Sequence, residues 1–115
     1  MLRTHTCGEL RPERIGVEVS LCGWVDKVRD HKGVIFIDLR DRWGRTQVVI
    51  GPDASAETLA AARAARAEWV LRVHGTVGAR PEGTTNPKLV TGAIEVICRT
   101  IEVLNEAETP VFQPG

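Results

Sequence analysis

A five-stranded Greek-key barrel, all β apart from one helix between its third and fourth strands, is the architecture this sequence predicts, and three observations predict it. Apolar residues alternate with a period of two around residues 17–21, 35–39, 46–50, 69–77 and 94–103, the mark of strands that bury one face. The first three of these segments follow one another through turns short enough to be hairpins, each carrying a glycine (Gly33, Gly44). The pattern is interrupted once, after Gly51-Pro52-Asp53, by an alanine-rich stretch with no strand period.

The elements follow in order. Residues 1–16, with Gly8, Pro12 and Gly16, read as a lead-in with a short turn of helix around Glu9 to Arg14. Val17, Val19 and Leu21 then open a long first strand that continues to Val28, and Gly23 within it marks an expected bend or bulge. His31-Lys32-Gly33 makes the first turn and Asp41-Arg42-Trp43-Gly44 the second, with glycine expected to supply a positive φ in both. Between them Ile35, Ile37 and Leu39 face one side while Phe36, Asp38 and Arg40 face the other. In the third strand Thr46, Val48 and Ile50 share a face, and Gln47 and Val49 take the opposite one.

Ser55 can cap a helix running to about Arg66, with Glu57 near its positive end. Leu59 is the only large apolar residue in that helix, so it can cover one end of a small barrel and little more. Trp69, Leu71, Val73 and Val77 give a fourth strand, and residues 80–91, rich in Pro, Gly and Thr, a long loop. In the fifth strand Ile94 and Val96, then Ile101 and Val103, form a core set that changes parity, so a bulge is expected within residues 97–100. Residues 106–115 lack periodicity, contain two prolines and read as the start of a linker. Residues 17–105 are thus the folded unit.

Three strands, a helix and two strands is the order of the OB-fold. Nucleic acid meets that barrel on the face of its second and third strands, between the loops joining strands one to two and four to five. Phe36 and Gln47 lie on that face. A ring beside an amide is suited to stacking on an unpaired base and reading its edge. Stacked on such a ring, uracil can donate N3–H to the amide oxygen and accept at O4, an order that cytosine reverses. Phe36 has a second reading, as packing under the 80–91 loop. Glu95 interrupts the apolar alternation of the fifth strand and so points outward; a carboxylate there can accept from guanine's two adjacent donors, or be an ordinary strand residue. Arg29 and Arg80 stand at the edges, where they can hold phosphates.

Composition limits the alternatives. The chain has 115 residues, room for one domain. Its 15 lysines and arginines equal its 15 aspartates and glutamates, so no global field draws in polyanions and nucleic-acid binding must come from a local patch. Cys7, Cys22 and Cys98 lack C-x-x-C spacing, which argues against a zinc site and for buried thiols. The three histidines are scattered and no P-loop, G-x-S-x-G or H-E-x-x-H occurs, so catalysis by this chain alone is not expected. With no apolar spanning run or signal segment, a cytoplasmic location is expected, with neither membrane nor DNA as partner.

The stretch CGELRPERIGVEVSLCGWVDKVRDHKGVIFIDLRDRWGRTQVVI, with GTVGARPE and TGAIEVI further on, closely resembles the N-terminal anticodon-binding domain of bacterial-type aspartyl-tRNA synthetases. GWV, RDHKG, FIDLRDRWG and TQVV in register with GAIEV carry the resemblance, which covers essentially the whole chain. It implies that Phe36 stacks on the middle anticodon base, a uracil, and that Gln47 reads its edge. Glu95 would read the first base, guanine or queuosine, and Arg29 would lie near the backbone and third base. Arg80, with Asn86 as a neighbour, would steady the loop. Histidine at the position of His31 is associated with family members that charge tRNA for asparagine as well as tRNA for aspartate. The resemblance also implies a class II catalytic domain beyond residue 115, using ATP and Mg and forming a homodimer, with no cofactor in this chain. Two departures, Asp26-Lys27-Val28 before Arg29 and Gly78 where a basic residue is common, imply fewer phosphate contacts. An asparaginyl- or lysyl-tRNA synthetase domain, or a stand-alone protein-interaction barrel, fits the same scaffold.

Overall fold

The computed structural model describes residues 4–31, 33–52, 54–80 and 92–105. A 3-10 turn, Pro12–Arg14, precedes β1 (Glu18–His31), β2 (Val34–Asp41), β3 (Gly44–Ile50), α1 (Ala56–Ala64), β4 (Val70–Ala79) and β5 (Ile94–Asn105). The strands close into a barrel in the order β1-β2-β3-β5-β4. β3 and β5 pair in parallel, and every other neighbouring pair is antiparallel. Closure pairs each strand with two neighbours and so leaves little sheet edge to cover.

The inward residues are those the period of two selects. Val19, Leu21 and Val25 of β1, Ile35, Ile37 and Leu39 of β2, Val48 and Ile50 of β3, Leu71 and Val73 of β4, and Ile94 and Val96 of β5 are all buried. Cys7 and Leu10, ahead of the first strand, are fully buried among them. The lead-in is therefore a plug in the core. Asp41, itself buried, holds the plug: Cys7 N–H donates to its Oδ2 at 2.8 Å, while Trp43 and Gly44 N–H donate to its Oδ1 at 2.9 and 3.1 Å.

Several expectations are corrected. β1 does break register, but between Val25 and Lys27. Gly23 has a different use: a Cβ there would stand 2.4 Å from the Arg40 carbonyl oxygen, so its absence lets β2 approach. Gly33 has a positive φ of 86°, whereas Gly44 does not have one. Gly44 is needed because a Cβ would stand 2.6 Å from Gly8 Cα, and the turn itself is fixed by Asp41. The helix ends at Ala64 and not Arg66, because Ala65 leaves the helical region at φ −60°, ψ 140°. Its buried side chains are Thr58 and Ala62, with Leu59 only partly covered. Ser55 caps it as expected, accepting from Thr58 N–H at 3.1 Å. On β5 the register shifts where His74 pairs with Thr100 and Gly75 with Cys98, inside the expected window. Val103 remains 37% exposed, outside the core assigned to it.

Candidate nucleic-acid interface

Strand register arranges the outer face of the barrel as two neighbouring rows. Arg29 pairs with Phe36, Phe36 with Val49 and Val49 with Ile97, giving one row across β1, β2, β3 and β5. Two residues along, Lys27 pairs with Asp38 and Asp38 with Gln47. Glu95 continues this second row, with its Oε1 3.0 Å from Gln47 Nε2. Neighbouring residues in a row lie about 5 Å apart and the rows about 7 Å from each other, by strand geometry. One row is largely apolar and the other wholly polar.

Arg29, Asp30, His31, Phe36, Gln47, Arg80 and Glu95 line a single cleft of about 510 Å³ on this face. Six of the seven residues read from the sequence as site candidates are among them. The seventh, Asn86, lies outside the described residues. The sequence reading missed two participants. Asp30 lines the cleft and accepts from Gly33 N–H at 3.3 Å. Asp38 accepts from Arg29 at 2.9 Å. Its outward parity beside Phe36 was the available signal, but a lone acid on a polar face points to nothing until its arginine is located.

The polar row is a connected network. Gln47 is buried at 7% exposure and Glu95 at 8%, so neither is the solvated strand residue its type suggests. Gln47 Nε2 donates to Glu95 Oε1, and Gln47 Oε1 accepts from Arg29 Nη2 at 3.3 Å. The Arg29 guanidinium also lies 5.8 Å from the centre of the Phe36 ring. Arg80, half-buried, donates through Nε to the Ile94 carbonyl oxygen at 3.2 Å. Burial raises the Glu95 pKa, opposed by the Gln47 hydrogen bond and the charge of Arg80. Burial also lowers that of Arg80, against the attraction of Asp38 and Glu95. Among the described residues no buried side-chain nitrogen or oxygen lacks a partner.

A flat ring next to donors and acceptors of fixed order is what stacking and edge-reading of an unpaired base require. The sequence pattern of the tRNA anti-codon family, described as an OB-fold nucleic acid binding domain, matches residues 19–104. The chain belongs to this family. As an OB-fold nucleic acid binding domain it is similar to an aspartate–tRNA(Asp/Asn) ligase of Rhodopirellula baltica, 55% identical over 116 residues, covering 100% of this chain and 20% of the relative. One from Desulfatibacillum aliphaticivorans is 53% identical over 112 residues, covering 97% of this chain and 19% of that protein. The chain thus spans about a fifth of the length of these relatives. Among solved structures, an asparaginyl-tRNA synthetase from Pyrococcus horikoshii superposes with a TM-score of 0.79 at 29% identity, covering 96% of this chain and 24% of that one. Among the described residues no helix is long and apolar enough to cross a membrane.

Proposed function

We propose that this domain selects tRNA by its anticodon on behalf of an aspartate–tRNA ligase. The observation that carries the reading is the alignment of Phe36 in the apolar row with Gln47 and Glu95 in the polar row beside it. The middle anticodon base, uracil, stacks on Phe36 and meets the Gln47 amide edge-on. Each amide atom keeps a free valence beyond its contacts with Arg29 and Glu95, one lone pair on Oε1 and one hydrogen on Nε2. Those two face uracil's N3–H and O4. Glu95 retains acceptor capacity for guanine's N1–H and N2–H at the first position. Arg29 and Arg80 take the loop backbone, and Asn86 belongs with Arg80.

His31 lines the same cleft as Arg29, which we place near the third base, and tolerance at that base is the role we assign to His31. The tRNAs for aspartate and asparagine share guanine and uracil in the first two positions and differ only in the third. A domain with His31 therefore accepts both, in keeping with the Asp/Asn ligases to which it is similar. Aminoacylation, with its ATP and Mg, and homodimer formation fall to a catalytic domain outside these 115 residues, in the cytoplasm where translation runs.

The test is a fluorescence titration of the 115-residue domain with anticodon stem-loops that differ at one base. Replacing the middle uracil by cytosine should weaken binding about tenfold or more, the cost of one mispaired buried donor–acceptor set. Exchanging the third base between cytosine and uracil should change it less than about threefold. Equal affinity for uracil and cytosine at the middle position would refute the assignment and favour a protein-interaction barrel.

A further inference from the structure

We propose that Asp38 is a positioning residue that sets the order in which Gln47 presents its acceptor and donor, and hence the choice of uracil over cytosine; this rests on the anticodon reading above. An amide alone has no preference between pyrimidines, because rotation by 180° about its last bond exchanges oxygen and nitrogen. Selectivity requires something that fixes the rotation. Here both ends are fixed by groups of opposite kind.

Glu95, as a carboxylate, can only accept, so the amide atom facing it at 3.0 Å is Nε2. Arg29 can only donate, so the atom 3.3 Å from its Nη2 is Oε1. Turning the amide over would set two donors together at one end and two acceptors at the other. The oxygen end of the lock therefore depends on Arg29 staying in place. Its side chain is long and 53% exposed, and the Phe36 ring, 5.8 Å from the guanidinium, holds it over the sheet without fixing which nitrogen meets the amide.

Asp38 supplies that anchor. It lies directly opposite Gln47 in the β2–β3 register, its side chain is only 15% exposed, and its Oδ1 accepts from the same Nη2 at 2.9 Å. One nitrogen with two hydrogens thus spans both acceptors, the carboxylate holding it and the amide being oriented by it. Asp38 also cannot drift away, because its backbone is held in the middle of β2 between β1 and β3. It need not touch RNA to decide which base the amide accepts.

The experiment compares uracil and cytosine stem-loops for wild type, Asp38→Ala and Asp38→Asn, with thermal melting to confirm folding. In Asp38→Ala the uracil-to-cytosine affinity ratio should fall about tenfold, the equivalent of one charge-assisted hydrogen bond. Binding of the cytosine loop should stay within about twofold of wild type. Asparagine keeps an accepting oxygen without the charge, so Asp38→Asn should fall between the two. In the free domain the order parameter of the Gln47 side-chain amide should drop in the same sequence, with no RNA present. A proportional loss for both loops, or an unchanged ratio, would overturn the role of Asp38; if the alanine variant is unfolded, the asparagine variant decides. A wild-type domain that does not separate the loops overturns the anticodon reading itself, a distinct result.

Discussion

Removing the ring of Phe36 separates the two things that ring could do. In Phe36→Ala the RNA loses its stacking platform, worth about 1–3 kcal/mol per base, so affinity should fall by a factor between about 5 and 150. The effect on folding should be modest. The ring is half-buried on the outer face, flanked by Val49 and the Arg29 guanidinium, and among the described residues it is not one of the partly buried apolar side chains packed against the core. Burying a whole phenylalanine is worth up to about 3 kcal/mol, so a half-covered ring accounts for about 1.5 kcal/mol. That corresponds to a melting temperature lower by about 6–12 °C for a domain of this size. Phe36→Leu sharpens the test, since it keeps apolar contact with Val49 but offers no π face. It should melt within a few degrees of wild type while losing most of the RNA affinity. The assay is a stem-loop titration at 25 °C beside a thermal melt. Binding of Phe36→Ala within about twofold of wild type would refute the stacking argument. A fall in melting temperature beyond about 20 °C would instead assign the ring to the core.

Further outcomes follow from the two buried acids, Glu95 and Asp41. Glu95 has its pKa raised, chiefly by burial, so the folded domain holds that proton to a higher pH than the unfolded chain does. Stability attributable to this group is therefore greatest below the ordinary value of 4.5 and declines as pH rises through the raised value. Glu95→Gln should accordingly be more stable than wild type at neutral pH, with the advantage disappearing in acid, as read by urea denaturation across a pH series. The preference for guanine at the first position, which needs the ionised form, should fade on acidification at a pH above that of an exposed glutamate. Asp41→Ala removes the acceptor of three backbone N–H groups and should cost about 3 kcal/mol or more by denaturant unfolding. It should also open Cys7, now fully buried, to thiol reagents. A cost below about 1 kcal/mol would mean that the N-terminal plug is held by packing alone.

The parts of this molecule that were legible in its sequence are those governed by a local period. Ile35, Ile37 and Leu39 had to face one way and Phe36 the other, and the barrel order followed from where such segments stopped. What was hidden depends on approach between distant segments. Gly44 looks like a turn glycine, yet its role is set by Gly8, which nothing in the sequence places beside it. Leu10 sits in a stretch with no period and still ends fully buried, because the lead-in folds back onto the core formed by the strands. Phe36 and Gln47 could be put on one surface from parity alone. The burial of Gln47 and Glu95, and the arginine that joins Gln47 to Asp38, required the pairing of β3 with β5 and a side chain reaching diagonally from β1.

That diagonal also bears on how a chain without net charge can hold a polyanion. In and beside the cleft, two arginines, Arg29 and Arg80, are matched by three acids, Asp30, Asp38 and Glu95. A surface that bound RNA chiefly through phosphates would have no use for those acids, since each repels the backbone it is meant to attract. They make sense if base edges meet Gln47 and Glu95 while phosphates pass along the arms of Arg29 and Arg80, the two arginines of the cleft. The carboxylates then exclude the wrong presentation of the loop as well as pairing with the right one. The proposed function would then divide the labour between the rows: the apolar row accepts any base by its face, and the polar row accepts only one order of donors and acceptors at its edge. On the proposed reading, selectivity at the middle base resides in the orientation of a single amide and of the charged groups that keep it from turning.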